Sequence, residues 1–160
     1  MDDLAARMAT IEQRVAALEG SPAPAPEGTF WALDGLKERT EGAGAVLYTG
    51  TVGLPTGERY DWQYGTPVDT LLGTDWSAFA ERLAALGHPV RLRLLHRVLE
   101  GARSTAELAA DDELGTTGQL YHHLRQLTAA GWLVSAGRGR YRVPAERVVP
   151  LLAILAGVRP

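Results

Sequence analysis

The chain contains no cysteine. That excludes disulfides, thiolate metal ligands, a cysteine nucleophile and thiol redox sensing together. No apolar run reaches the ~18 residues a membrane-spanning helix needs. The opening MDDLAARM has neither a basic n-region nor an apolar h-region, so no secretory signal is expected and a cytoplasmic location is. Lysine is nearly absent: of 16 basic residues, fifteen are Arg and one is Lys. With abundant Ala and Gly, that bias fits a GC-rich coding genome and says nothing of function. GxSxG, P-loop and HExxH signatures are missing, as is any evident pair of carboxylates set for catalysis. The GxGR of residues 137–140 lacks the strand-to-helix context of a nucleotide loop. The expectation is therefore a protein that is not an enzyme and needs no cofactor. What remains is an ordinary globular composition, 46% apolar and 22% charged over 160 residues, long enough for one domain with appendages.

The formal net charge of −3 conceals an asymmetry. Residues 1–74 hold five Lys/Arg against eleven Asp/Glu, a net of −6, while residues 75–160 hold eleven Arg against eight Asp/Glu, a net of +3. The basic side chains of the second part cluster at 82–103 and 138–147. Such a split points to nucleic-acid contact by the basic half, or to two solvated surfaces of opposite sign.

Four segments follow from the pattern. Residues 1–19 read as a helix with a heptad seam, with Leu4, Ile11 and Leu18 at d and Met1, Met8 and Val15 at a. Arg7 and Arg14 then sit at g and Glu12 and Glu19 at e, so a parallel pair matches Arg to Glu, whereas an antiparallel pair sets Arg against Arg. The competing reading is an amphipathic helix docked on its own domain. Residues 20–28, with their alternating Pro and Ala, form a semi-extended spacer. Residues 29–73 begin with a short helix carrying Phe30, Trp31, Leu33 and Leu36. A β-hairpin follows around the turn Pro55–Glu58, with Val46, Tyr48, Val52 and Leu54 on one strand and Tyr60, Trp62 and Tyr64 on the other. The face formed by Tyr48, Tyr60, Trp62 and Tyr64 is either a ligand platform or the buried side of a small sheet.

Residues 74–160 carry the densest signal. Thr74 or Asp75 caps a helix with Trp76, Phe79, Leu83 and Leu86 at helical spacing. His88-Pro89 opens a second, apolar helix. Ser104 caps a third, with Glu107 at the capping-box position. Thr116 caps a fourth, spanning 116–130, with Leu120, Leu124 and Leu127 inward. A hairpin spanning 134–143 has a basic, Gly-rich tip, and a last apolar helix near 145–156 contains Pro150, which should kink it or delay its start.

Helix, helix, helix, turn, helix, hairpin is the element order of a winged helix-turn-helix, so the fold class expected is α+β. In that arrangement the fourth helix lies in the DNA major groove and the hairpin is a wing on the flanking backbone or minor groove. Its N-terminus would offer backbone N–H groups to a phosphate. The residues expected at DNA are Thr116, Thr117, Gly118, Gln119, Tyr121, His122 and Arg125 on the helix, with Arg138, Arg140 and Arg142 on the wing. Gln can bond adenine and Arg guanine in bidentate fashion.

The segments LAALGHPVRLRLLHRVLEGARSTAELA and TTGQLYHHLRQLTAAGWLVSAGRGRYRV carry a resemblance to a known family. Residues 79–143 resemble the winged-helix domain of ArsR-type repressors, and the HHLRQLTAAGWL run is its most specific part. The resemblance covers roughly the last 85 residues and implies a dimeric, sequence-specific DNA-binding regulator, often released from DNA by a metal or small molecule. The sequence departs from metal-sensing members. STAELAADDE lacks their cysteines, and AERVVPLLAILAG has no His and only Glu146 as an acidic ligand, so no metal is expected. His88, His96, His122 and His123 read as capping, core or DNA-facing residues.

The expectation is a DNA-binding transcriptional regulator, a repressor by resemblance, associated with a bacterial nucleoid, its partner double-stranded DNA. A non-metal small-molecule effector would act at the aromatic hairpin. The alternative is a protein-interaction or DNA-bridging scaffold using the same winged helix and coiled coil. Heptads at one end and an apolar helix at the other suit a homodimer joined twice, or a tetramer in which the coil links two winged-helix dimers.

Overall fold

The computed structural model describes residues 30–159. The heptads of residues 1–19 and the spacer of 20–28 lie outside the described residues. The chain falls into two units, Met1–Gly42 and Ala43–Pro160. In the first, the described part holds one helix, α1 (Trp31–Lys37). Its C-terminal carbonyls are taken up locally: the Thr40 hydroxyl donates to Leu36 O and the Arg39 guanidinium to Gly35 O, both at 2.6 Å.

The second unit is α+β, mixing helices with two small antiparallel sheets. Strands β1 (Ala45–Gly53) and β2 (Arg59–Pro67) form the expected hairpin. Tyr48 stands opposite Tyr64, Gly50 opposite Trp62 and Val52 opposite Tyr60. The turn is closed by Leu54 N–H donating to Glu58 O and Gly57 N–H to Leu54 O, each at 2.9 Å. A short helix that the sequence pattern did not mark, α2 (Val68–Gly73), follows directly.

The helix expected from residue 75 onward divides in two. Asp75 accepts from Ser77 N–H at 3.0 Å and from its hydroxyl at 2.7 Å. That local pairing accompanies a 3-10 turn, Trp76–Phe79, before α3 (Ala80–Leu86) begins. Pro89 opens α4 (Pro89–Leu99), where His88 Nδ1 accepts from Val90 N–H at 3.2 Å. Then come α5 (Thr105–Ala109), a 3-10 turn Asp112–Leu114, α6 (Thr117–Ala129), strands β3 (Val134–Ser135) and β4 (Tyr141–Arg142), and α7 (Ala145–Gly157). The delayed start that Pro150 suggested is not observed: α7 begins at Ala145 and contains Pro150. Pro150 is the sixth of the helix's thirteen residues, where its missing N–H removes one i→i−4 hydrogen bond.

Side chains at helical spacing from several elements meet in one core. Leu94, Leu95 and Val98 of α4, Leu108 of α5, Leu120, Leu124 and Leu127 of α6, and Val148 and Leu151 of α7 are all buried. Trp132 joins them, its indole N–H donating to Arg82 O at 2.9 Å and its ring lying 5.6 Å from the Arg147 guanidinium carbon. The β3–β4 pair gains a third member from the segment before α5. Tyr141 N–H donates to Arg103 O at 2.7 Å, Thr105 N–H to Gly139 O at 2.9 Å, and Ser104 bridges Arg140.

The β1–β2 hairpin rests on α7. Gly50 is the reason it can lie so close: a Cβ there would stand 2.8 Å from Val149 Cγ1. Gly53 of the same strand has nothing within 4 Å of such an atom. Gly50→Val should therefore destabilise by about 1–3 kcal/mol through overpacking, whereas Gly53→Val should cost far less. Thermal denaturation of the two variants checks this; equal midpoints would contradict the close approach.

Candidate nucleic-acid interface

Helix α6 is positioned from both ends of its sequence. Before it, Gly115 adopts φ +80°, and a Cβ there would stand 2.6 Å from Gln119 Oε1. Thr116 and Gln119 then form a reciprocal capping box, with Thr116 N–H donating to Gln119 Oε1 at 2.9 Å and Gln119 N–H to Thr116 Oγ1 at 3.4 Å. Leu120, Leu124 and Leu127 recur at i, i+4 and i+7 and are buried, which fixes the helix's rotation. Thr117, Gly118, Tyr121, His122 and Arg125 consequently face solvent. A side chain at Gly118 would meet nothing within 4 Å, so the start of this face is open.

One assignment changes. The sequence reading gave Gln119 to an adenine edge, but its Oε1 is already held by Thr116 N–H and hydroxyl. Thr116 and Gln119 act together as the helix's cap. The T-x-x-Q spacing is itself the sequence signature of that cap.

On the terminal hairpin, Arg138, Arg140 and Arg142 are exposed. Their surroundings differ. Glu107 is held below the usual carboxylate range by the Ser104 hydroxyl and the Ser104 and Arg103 N–H groups, with a smaller contribution from Arg140. Arg142 lies at the hairpin's base, where it lines a cavity of about 50 Å³ with Glu58, Tyr60, Arg103 and Val143. Glu58 and Arg103 are ion-paired across 45 residues of chain. No local sequence pattern could have found that pair.

The basic cluster read at 82–103 is mostly spent inside the unit. Arg91 donates to Ala84 O at 2.7 Å, Ala85 O at 2.6 Å and Gln126 Oε1 at 2.6 Å. Arg93 and Arg97 both reach Asp111, at 2.9 and 3.4 Å, and Arg93 also pairs with Glu113. The Arg93 hydrogen bond is the main cause holding the Asp111 carboxyl below its ordinary range. By contrast, the side chains of Arg125, Arg138, Arg140 and Arg142 make no hydrogen bond or ion pair among the described residues.

The histidines separate. His96 is exposed, 3.6 Å from Glu100, rather than part of the core. His122 faces out, and His123 faces in, its ring 4.7 Å from that of His88. Among the described residues no three His, Asp or Glu converge as metal ligands. On the first hairpin, Tyr48 and Tyr64 meet at 5.8 Å between ring centroids, Tyr60 packs on the core, and Trp62 and Tyr64 remain 37% and 53% exposed. The four rings thus split between core and surface. No family model, curated protein or solved structure matches the chain.

The His88–His123 contact has a pH consequence. Burial, then the neighbouring His88, Arg91 and His122, hold the His123 imidazole below its ordinary 6.5. A group with a depressed native pKa favours the folded state fully above its unfolded value, and that contribution is lost as pH falls toward the native value. Thermal midpoints should therefore drop as pH is lowered below 6.5, and less steeply in His123→Phe. Coincident pH profiles for the two proteins would contradict this.

Proposed function

We propose that this chain is a sequence-specific DNA-binding regulator of the winged helix-turn-helix class. In this reading α6 is the recognition helix and β3–β4 the wing. One observation carries it: the arginines of α4 and its following loop are bound internally, while Arg125 on the open face of α6 and Arg138 and Arg140 on the terminal hairpin are exposed without partners among the described residues. A polar helix face with a guanidinium suits base edges, and a basic hairpin suits phosphates. The resemblance of residues 79–143 to ArsR-type repressors supports the same reading, and makes repression the expected direction of control.

A gel shift on genomic fragments, including the protein's own promoter, tests it. Arg125→Ala should relax preference at one base position by about 1–3 kcal/mol. Arg138→Ala should weaken all fragments alike and lower the salt slope by about 1. Absence of binding at micromolar protein in low salt would replace this reading with the scaffold.

The regulator acts as a dimer in this proposal, and a second copy of the chain has a face to meet. Trp76, Phe79 and Leu83 recur at spacings of three and four along the 3-10 turn and α3, and are 63%, 37% and 54% exposed. The Trp76 indole donates to Leu71 O at 2.8 Å, which places the ring beside α2, where Leu72 is 65% exposed. Three large exposed apolar side chains at helical spacing exceed the scatter of single exposed residues that monomers tolerate. The heptads of residues 1–19, parallel by their charge pattern, favour a second copy as the occupant. Full-length protein with the heptads broken by Ile11→Asp and Leu18→Asp should still be dimeric by light scattering. Adding Trp76→Asp should bring the mass to the 17.2 kDa monomer. A dimer surviving all three changes would remove this face from the assembly.

A further inference from the structure

The turn of the first hairpin reaches the base of the second. A Cβ on Gly101, just beyond α4, would stand 3.1 Å from Thr56 Cγ2, so the β1–β2 turn abuts the loop that leads to Arg103. Within that turn the Thr56 hydroxyl donates to Glu58 Oε2 at 2.8 Å and orients the carboxylate. Glu58 in turn accepts from Arg103 Nη2 and lines a cavity of about 50 Å³ together with Arg103 and Arg142. The apolar walls of that cavity include Tyr60, Val98 and Val143.

Arg103 is continuous with the terminal hairpin. Its carbonyl accepts from Tyr141 N–H at 2.7 Å, and two residues on, Thr105 N–H donates to Gly139 O at 2.9 Å. A single carboxylate thus binds one cation and faces another at the base of the hairpin whose β3–β4 connection carries Arg138 and Arg140. The pair is reachable from solvent, with side-chain exposures of 27% for Arg103 and 39% for Glu58.

We propose that the β1–β2 turn is a built-in brake on nucleic-acid binding, in which Glu58 occupies Arg103 and faces Arg142 and must be displaced by duplex phosphates. This rests on the DNA-binding reading above and adds a regulator from a segment outside the stretch that carries the family resemblance. Carboxylate and phosphate present the same kind of paired anionic oxygens to a guanidinium. A guanidinium held by Glu58 neutralises no phosphate and releases no counterion, so it adds nothing to affinity or to salt dependence. Freed of Glu58, the same group adds to both. The brake acts on phosphates, so it applies to every sequence alike and leaves base preference untouched.

The test compares full-length wild type, Glu58→Gln and Thr56→Val on a fluorescent mixed-sequence duplex of about 30 base pairs, titrated from about 50 to about 200 mM salt. Glu58→Gln keeps the shape and removes the charge. It should bind about two- to fivefold more tightly in low salt, as expected from releasing a part-exposed ion pair. Its log-affinity against log-salt slope should steepen by about 1. Thr56→Val, which leaves the carboxylate less firmly held, should shift affinity the same way by less. In an Arg142→Ala background the gain from Glu58→Gln should shrink, because one of the two freed cations is gone.

Wild-type binding with no gain in Glu58→Gln, at unchanged thermal midpoint, overturns the brake and leaves the DNA reading standing. Weaker binding by Glu58→Gln also overturns it, and makes Glu58 a positioning residue for the hairpin base. Failure of all variants to bind at about 50 mM salt overturns the brake and the DNA reading together.

Discussion

The structure of residues 43–159 is organised by the burial of α4. Leu94, Leu95 and Val98 are at most 2% exposed, and α3, α6, the Asp112–Leu114 turn and β4 all pack on that helix. Fully burying one such side chain contributes about 1.5–3 kcal/mol, so these three rival the ~5–15 kcal/mol net stability of a whole domain. The consequence for the surface is indirect but strict. Leu120, Leu124 and Leu127 must fill the same core, so α6 has one permitted rotation, and its outward face is whatever the remaining positions carry. Those positions hold Thr117, Tyr121, His122 and Arg125. Sequence-level freedom to alter that face without disturbing the core follows from the same geometry.

Arginine does two different jobs in this chain, and burial decides which. Arg91 donates to the carbonyls of Ala84 and Ala85 in the last turn of α3, where Ala84 O also accepts from Gly87 N–H. Arg93 and Arg97 converge on Asp111, tying α4 to the link before α6. Solvent-screened pairs of this kind add little stability, so their role is to fix where α6 begins. The +3 surplus of residues 75–160 is therefore not spread evenly. Arg93 and Arg97 of α4 are neutralised in place, whereas Arg125 of α6 and Arg138, Arg140 and Arg142 of the terminal hairpin have no ion pair among the described residues.

The features legible in sequence were those set by near neighbours. The S-x-x-E of Ser104–Glu107, the His88-Pro89 entry and the period-two hairpin all form as expected. The T-x-x-Q of Thr116–Gln119 carries the same kind of signal, and the cap it forms engages Gln119 Oε1. Trp76, Phe79 and Leu83 show a different limit. Helical spacing establishes that an apolar face exists, but not whether its own core or another chain covers it. The Glu58–Arg103 pair and the seat of Val149 at Gly50 depend on which elements fold next to each other, and neither leaves a local trace.

That seat also determines what the first hairpin can do. A two-stranded sheet is marginal by itself, and this one borrows its order from Val149 beneath Gly50 and from Val52 and Tyr60 on the core. The hairpin and α7 are thus held as one piece at one end. At the other end the turn is fastened through Glu58 to Arg103, whose carbonyl holds Tyr141 of β4. The hairpin is a strut between the last helix and the base of the terminal hairpin. Tyr48, Trp62 and Tyr64 share a face with Val52 and Tyr60, and Gly50 on that same face approaches Val149, so the aromatic face is the one turned toward α7 and the core.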